Sequence, residues 1–499
     1  MSAAGGPSVG DGWQRLDPRM LLVYPVKELG RFLPVLLGVF VAGTASGGPA
    51  KWWQLAGVAV PVGLGVLRYV TTSYRIAQGR VELRRGLLNR HVLSTPVDRV
   101  RTVDITAPPV HRLLGLTSVR IGTGTASSDD DDRLDLDGLP AERARRLRAE
   151  LLSTDAGTSE LAAAAVLELD PAWVRYAPLT SSGLVIAAGV LGLGSQVIDT
   201  LGGIRVDTSQ LSDGAGGWSL WIAVPLVLVA LLVIVTLLSI GGYVVTNWGF
   251  RLSHTGPGRG GAWHLRRGLL TTRETTIDDV RLRGVVVGEP IGLRLAGAAR
   301  ASAIVTGLDR GQASSAVLVP PAPREVVTRA AGDVLRTAGP LTADLTGHGP
   351  RARTRRYSRA LVPTVAAVVV AVLLTLFARL PVWVPVLTVL ALPVAAALAA
   401  DRAAALGHAL VDGHFVVRSG SLDRRREALE LDGVIGWNLR STWFQRRVGL
   451  TSLTATTAGG RQAVTAIDVP EEVAVRVALA ATPDLVTPFL HDEVPGATS

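Results

Sequence analysis

The chain has 499 residues, 48% of them hydrophobic, and a formal net charge of +10 at pH 7. It contains no cysteine, which excludes a disulfide framework and a metal site with thiolate ligands. Almost every base is an arginine, since Lys27 and Lys51 are the only lysines. A basic chain can bind nucleic acid, but the orientation of membrane spans accounts for much of this arginine, so no nucleic-acid partner is expected.

Long apolar stretches come in three pairs along the chain. A helix of about twenty apolar residues crosses the ~30 Å hydrocarbon layer of a bilayer. Five segments reach this length: Trp52–Val70, Leu179–Val197, Trp218–Gly242, Ala360–Ala378 and Val382–Ala400. A sixth, Phe32–Ala45, reaches it only with flanking residues and with Arg31 extending to the interface. Almost no polar stripe interrupts the five, unlike buried helices of soluble proteins. The sequence therefore predicts six spans in three helical hairpins.

Charge predicts the orientation of these hairpins. If both termini are cytoplasmic, the outer turns hold only Lys51, Arg205 and Arg379, and the other 48 of the 51 lysines and arginines lie inside. Positive residues close to spans favour the cytoplasmic side. We therefore expect a multi-pass protein of the cell membrane (inner or plasma membrane), with both termini cytoplasmic.

A soluble-looking block with a repeated glycine spacing follows each hairpin. The paired glycines are Gly86 and Gly115, Gly268 and Gly297, and Gly420 and Gly449. In every pair, 29 positions separate the two glycines, and the first is the last residue of an arginine-containing triplet. Self-similarity on this scale indicates repeated structural units. These six glycines therefore serve as structural markers of three copies of one unit.

Within a block, short runs alternate between apolar and polar residues, as in Val81-Glu-Leu83. Period two indicates antiparallel strands with one buried face. The first glycine of a pair is expected to have positive φ in a hairpin turn, and the second to mark a bend or a close backbone approach. Helices led by Pro140, Pro323 and Pro470 close the blocks. This order predicts a pleckstrin-homology-like (PH-like) antiparallel β-barrel or sandwich capped by a C-terminal α-helix.

The best-defined block reads Y-x-I…G…L-R-R-G-L-L…V-D-R-V…H-R-L-L-G-L-T-S-V between Tyr74 and Gly124. With the preceding hairpin, this pattern resembles the bacterial PH-like membrane proteins of the second bacterial PH family. The resemblance extends to His408–Gly459 and is weaker in the second block, where a Gly-rich insertion lies at Thr255–Ala262. It implies a PH-like fold and a membrane location, and it brings no catalytic motif.

The predicted organisation is a multi-domain membrane protein with three transmembrane helical hairpins, each followed by a PH-like domain. Its parts are an N-terminal cytoplasmic segment (1–28), hairpin 1 (29–70), PH-like domain 1 (71–153), a linker (154–178), hairpin 2 (179–242), PH-like domain 2 (243–337), a basic linker (338–359), hairpin 3 (360–400), PH-like domain 3 (401–484) and a C-terminal tail (485–499).

Candidate chemistry is limited to basic clusters. The histidines show no metal-ligand pattern, and Asp129–Asp132 lacks the alternate spacing of a Ca²⁺ loop, so no catalytic residue, metal or cofactor is predicted. Bases near an anionic leaflet each contribute on the order of 1 kcal/mol. The candidate anionic-lipid contacts are Arg351, Arg353, Arg355, Arg356, Arg359, Arg84, Arg85, Arg266 and Arg267. Topology signals and solvated strand ends are the alternative explanation of each pair.

We therefore expect a non-catalytic membrane protein whose cytoplasmic PH-like domains bind partners or anionic lipid at the inner leaflet, as a scaffold in envelope maintenance or defence. Membrane lipids are the first expected partner. A membrane or cytoplasmic protein, a second copy of the chain, or a paralogue from the same operon are others. The alternative is a transporter or exporter of a lipid or a membrane-active peptide, with span prolines around a substrate site. A membrane enzyme would need a convergent polar cluster that the sequence does not show.

Overall fold

The computed structural model describes the chain in stretches separated by gaps. These are residues 13–28, 50–77, 80–85, 91–96, 102–122, 134–151, 165–180, 192, 218–256, 260–306, 317–458 and 463–487. The predicted span Phe32–Ala45, nearly all of Leu179–Val197, the marker Gly86 and the acidic run Asp129–Asp132 lie outside them. The chain divides into two compact units, Met1–Asp279 and Val280–Ser499.

The first unit contains helices at both of its apolar stretches and two groups of strands. Its helices are α1 (20–28), α2 (Ala50–Thr71), α3 (Pro109–Leu113), α4 (Ala141–Leu151) and α5 (Trp218–Asn247). Its strands are β1 (Gln14–Arg15), β2 (Ser73–Ala77), β3 (Arg80–Arg85), β4 (His91–Pro96), β5 (Thr102–Ala107), β6 (Leu116–Gly122), β7 (Leu134–Pro140), β8 (Ala165–Glu168), β9 (Arg251–Thr255), β10 (Ala262–Arg267) and β11 (Thr272–Asp278).

One of the two sheets of the first unit crosses from one sequence block into the next. A four-stranded sheet has the order β1-β2-β3-β4, and a seven-stranded sheet has the order β7-β6-β5-β11-β10-β9-β8. In the larger sheet, β5 of the first block pairs antiparallel with β11 of the second, and Ile105 lies opposite Glu274. We call this pairing the first seam. Each block was expected to form its own barrel, and the seam shows that a sheet is instead shared between neighbours.

The core of the first unit includes the N-terminal segment. Leu83 of the smaller sheet and Val119 and Leu136 of the larger sheet are almost fully buried in one cluster. Met20 and Tyr24 of α1 are buried in the same cluster. Burying a side chain of this size contributes about 1.5–3 kcal/mol, so α1 is an integral part of the domain that follows α2.

The second unit also combines strands, short helices and apolar helices. Its helices are α6 (Ile291–Leu295), α7 (Arg324–Leu335), α8 (Gly339–Thr342), α9 (Gly349–Ala378), α10 (Trp383–Ala405), α11 (Trp443–Arg446), α12 (Glu471–Ala481) and α13 (Pro483–Val486). Its strands are β12 (Leu282–Pro290), β13 (Ala298–Val305), β14 (Val317–Pro323), β15 (Gly407–Val411), β16 (His414–Ser419), β17 (Asp423–Glu430), β18 (Gly436–Arg440), β19 (Leu450–Thr456) and β20 (Ala463–Pro470).

A second seam joins the middle block to the last. The six-stranded sheet has the order β14-β13-β12-β17-β16-β15, and the other sheet has the order β18-β19-β20. Across the β12–β17 seam, Val287 lies opposite Arg426. Ile105 and Val287 each lie ten residues before the second glycine of their block, and Glu274 and Arg426 each lie six residues after the first. The two seams therefore have the same register.

Three of the described helices contain stretches long and apolar enough to cross a membrane. They are Val229–Asn247 within α5, Gly349–Ala378 (α9) and Trp383–Ala405 (α10), and their most apolar 18-residue stretches have mean hydropathies of 2.4, 2.6 and 2.1. Most of their large apolar side chains are exposed, as lipid-facing side chains would be. Helices α9 and α10 pack against each other across the short turn at 379–382.

The second glycine of each block ends a short helix. Gly115, Gly297 and Gly449 follow α3, α6 and α11 with φ of 71°, 66° and 64°. Each glycine N–H donates to the carbonyl three residues earlier, at 3.1, 3.2 and 3.2 Å, and each carbonyl accepts from the first residue of α4, α7 or α12, at 3.3, 2.9 and 3.3 Å. A left-handed residue at a helix end favours glycine. No atom lies within 4 Å of a Cβ built on Gly297, so positive φ, and not close approach, explains this position.

Candidate membrane-proximal surfaces

The first candidate surface lies where helix α5 ends. The turn between β10 and β11 covers this end, because the Gly268 N–H donates to the Trp248 carbonyl and the Leu269 N–H donates to the Val245 carbonyl, both at 2.8 Å. Gly268 has φ 111°, and a Cβ there would lie 2.0 Å from the Thr271 oxygen. The turn thereby satisfies carbonyls that a helix end leaves unpaired. It fixes the β domain directly to the apolar helix.

Apolar side chains are exposed around this junction. The Arg112 guanidinium donates to the Leu269 carbonyl at 2.8 Å, which brings the end of α3 to the turn. The next residue, Leu113, is 87% exposed. Leu270 and Trp248 are 52% and 55% exposed. The end of α5 is thus bordered by apolar residues that the first unit leaves uncovered.

The same arrangement recurs in the second unit at the end of helix α10. Arg294, the counterpart of Arg112, donates to the Asp401 carboxylate at 3.2 Å, and Asp401 lies in the last turns of α10. The Arg418 guanidinium donates to the carbonyl of Ala405 at 3.1 Å and so caps α10. Leu295, the counterpart of Leu113, is 82% exposed. Two short helices therefore present a leucine beside the end of an apolar helix.

The predicted arginine cluster at the start of α9 separates into two groups. Arg355 and Arg356 form ion pairs with Asp468, at 3.1 Å for Arg355, and the carboxylate is fully buried while each arginine side chain is 12% exposed. The Gln445 side-chain amide also donates to Asp468 at 2.7 Å. These contacts attach α9 to the last β domain, and they leave little of either charge exposed to a headgroup.

The other three arginines of the cluster face solvent. Arg351, Arg353 and Arg359 are exposed, and the Arg353 guanidinium lies 5.9 Å from the Tyr357 ring. Beside them, the Arg355 guanidinium donates to the Thr442 hydroxyl at 3.3 Å, so α11 lies next to the start of α9. This part of the predicted site is accessible to anionic headgroups.

Helix α11 carries an aromatic pair that the sequence interpretation did not single out. Trp443 and Phe444 are 51% and 66% exposed and stack edge to face at 4.9 Å. The Arg447 guanidinium lies 3.9 Å from the Trp443 ring centre. Trp443 follows a Thr442 cap and precedes an Arg-rich turn, and this mixture of aromatic and basic residues next to a span was the available signal.

The remaining predicted arginines lie in β-hairpins and differ in exposure. Arg84 lies 5.8 Å from the Trp13 ring, and so helps to hold the N-terminal segment. The Arg85 side chain lies outside the described part of the chain. Arg266 is exposed, 3.6 Å from Glu274. Arg267 is buried, and burial together with nearby Arg273 lowers its pKa to about 10.

Comparison with known proteins gives one match. A family model described as the bacterial PH domain matches residues 29–154 and 357–481, about half of the chain. These regions include the first and last blocks and apolar sequence before each. No curated protein and no solved structure shows significant similarity to the chain. The antiparallel sheets and the helices that follow β7 and β20 agree with this family match. The chain belongs to the bacterial PH domain family.

Proposed function

We propose that the protein is a non-catalytic, multi-pass membrane scaffold. Its cytoplasmic PH-like domains are held on the inner leaflet by exposed leucines at the ends of short helices and by arginines. One observation carries the proposal: Leu113 and Leu295, at corresponding positions, are 87% and 82% exposed beside the ends of α5 and α10. A single exposed leucine is ordinary. The same exposure at two corresponding positions next to spans is what a lipid contact would require.

The proposal includes three tandem domains, with the middle block as a diverged copy. The family model does not match this block, but Gly297 ends a short helix as Gly115 and Gly449 do. The register of the two seams supports the same conclusion, since it relates the middle block to both neighbours. We infer that each copy follows its own membrane hairpin and that both termini are cytoplasmic, which is the orientation favoured by the arginines.

Lipid contact through these groups has a favourable balance of free energies. Burial of an exposed leucine contributes about 1.5–3 kcal/mol, and an arginine near an anionic leaflet contributes on the order of 1 kcal/mol. Trp443, with Arg447 against its ring, has the amphipathic character of residues at headgroup depth. Several such contacts on one rigid domain act together, because the spans already hold the domain at the membrane.

This arrangement supports the proposed scaffold role in envelope maintenance or defence. Within each unit, a seam joins strands of two consecutive blocks in one sheet, so partner sites on the two sides of a seam would keep a constant spacing. The expected partners are membrane lipids and a membrane or cytoplasmic protein. Crosslinking in native membranes is the direct way to capture such a protein.

Lipid contact is tested with the full-length chain in nanodiscs. Because the protein has no cysteine, Leu295→Cys carries a single fluorophore, and lipids with a nitroxide near the headgroup act as the quencher. We expect strong quenching at position 295. The matched control is Val280→Cys, an apolar residue that is 66% exposed and precedes the opposite end of β12. Equal quenching at 295 and 280 would refute the proposed contact.

A second arm tests the arginines. Arg351, Arg353 and Arg359 are changed together to Gln, and the phosphatidylglycerol retained by the purified protein is counted by native mass spectrometry. We expect fewer retained anionic lipids than with the wild type. The control is Arg329→Gln, an exposed arginine on α7. If the triple variant retains as much lipid as this control, the three arginines do not contribute to headgroup binding.

A further inference from the structure

In the described part of the chain, β4 and β18 are edge strands that correspond to strands of the two seams but have no seam partner. A seam joins the third strand of one block's first sheet (β11 or β17) to the first strand after the turn in the preceding block (β5 or β12). The first block supplies another third strand, β4, and the last block supplies another first strand, β18. Each of these has one strand neighbour among the described residues, β3 and β19 respectively.

Burial at corresponding positions shows what the seam covers. Ile105 and Val287 lie within seams and are 5% and 6% exposed. Leu439, ten residues before Gly449, occupies the same position in β18 and is 42% exposed. An apolar residue is therefore uncovered at the one position of this kind that has no seam. Exposed strand edges with apolar residues are templates for pairing with another chain.

The arginine that completes each seam shows the same difference. The Arg112 guanidinium donates to the Leu269 carbonyl of the following block at 2.8 Å. The Arg294 guanidinium donates to the Asp401 carboxylate at 3.2 Å and to the Ser421 carbonyl at 3.5 Å. Arg446 is their counterpart in the last block. It is exposed, and its guanidinium makes no hydrogen bond or ion pair with the described residues. Both the apolar and the basic element of a seam are thus present at β18 without a partner.

We propose that β18 of one molecule pairs with β4 of a second copy, in the register of the two internal seams. This inference rests on the proposed tandem arrangement of three domains. The occupant is a second copy because the chain itself carries both kinds of edge, and because the same pairing already occurs twice within it. In this register Leu439 lies opposite Val92, six residues after Gly86, as Glu274 and Arg426 lie six residues after Gly268 and Gly420.

The contact is heterologous, since the two molecules use different surfaces. Each molecule keeps one free edge after pairing, so repetition produces either a closed ring or an open row in the plane of the membrane. Val92 is 53% exposed in the single chain, and pairing would cover it together with Leu439. Main-chain hydrogen bonds between the edges would supply the affinity, and the side-chain pattern would supply the register.

Disulfide crosslinking tests the proposal in native membranes. Two full-length chains with different tags, one with Val92→Cys and one with Leu439→Cys, are co-expressed and oxidised mildly. Directly opposite residues have Cβ atoms about 4.5–5.5 Å apart, close to the range of a disulfide. We expect a disulfide-linked dimer that carries both tags. Neither single variant should crosslink to itself, because like edges do not meet.

Two comparisons make the result decisive. Asn438→Cys is the matched control, because adjacent strand residues point to opposite faces and the neighbouring cysteine should crosslink at least tenfold less with Val92→Cys. A Val92→Cys/Leu439→Cys chain reports closure within one molecule. Crosslinking no better than the control, or only within single chains, would overturn the proposal. Lipid quenching at position 295 is unaffected by this pairing, so failure here is distinguishable from failure of the proposed function.

Discussion

Removal of the Asp468 charge should release the start of helix α9 from the last β domain. Asp468 is fully buried and pairs with Arg355 and Arg356, while Gln445 donates to it at 2.7 Å. Its φ is 61°, a left-handed conformation that Asn also tolerates. Asp468→Asn therefore keeps the shape and the backbone, and isolates the effect of the negative charge.

The magnitude follows from the burial of the three groups. Removal of one partner from a buried ion pair costs about 3–5 kcal/mol, because the remaining charge stays desolvated and uncompensated. We take about 3 kcal/mol, since each arginine side chain retains 12% exposure. A loss of this size raises the population of the locally open state about 150-fold. Hydrogen exchange of the β20 and α9 amides measures that population directly.

The control is Asp432→Asn, an exposed carboxylate in the same domain. It removes the same charge from the chain, and exchange at β20 should stay within a factor of about three of the wild type, as expected for a surface substitution. If Asp468→Asn changes the protection of β20 by no more than this control, the ion pairs contribute little. The attachment of α9 would then depend on packing of Ala352 against Leu406 and Leu450 instead.

Two further predictions concern backbone conformation and pH. Gly297→Ala should destabilise the middle block by about 1–2 kcal/mol, because a φ of 66° is strained for alanine while the space around the new Cβ is open. Thermal unfolding should show this loss of stability for Gly297→Ala and not for the control Gly241→Ala within α5. Burial and nearby His408 lower the pKa of His348 to about 4, below its usual 6.5. The unfolded state then binds the proton more readily, so local stability present above pH 6.5 should fall as the pH drops towards 4, by on the order of 3 kcal/mol. His348→Phe should weaken this dependence in hydrogen exchange, and burial of His408, which also lowers its pKa, accounts for the remainder.

Features set by local chemistry could be predicted from the sequence. The apolar length needed to cross a bilayer is a property of one segment, and it located α5, α9 and α10. The spacing of 29 residues located Gly297 and Gly449, whose positive φ depends on the end of a short helix within the same block. The family resemblance rested on the same local motifs.

Features that depend on distant partners could not be predicted. Alternation in β5 indicates which face of that strand is buried, but it does not indicate that the neighbouring strand belongs to the next block. Arg355 and Arg356 look like any juxtamembrane bases in the sequence, and Asp468, which neutralises them, lies more than a hundred residues away. Leu113 and Leu295 each follow an arginine at corresponding positions of the first two blocks. Their exposure depends on the turn of the next block packed beside them, which the sequence does not indicate.

The common register of the two seams has a consequence for how such chains arise. The middle block takes part in both seams, through β11 in the first and β12 in the second, and the register is the same. A block with this property can be exchanged for another, because its edge strands match those of its neighbours. Gene duplication could lengthen the chain, and deletion could shorten it, without the invention of a new contact surface. One of the two seams, β5–β11 or β12–β17, would then be a duplicate of the other. Homologues with other numbers of blocks should preserve the same seam register.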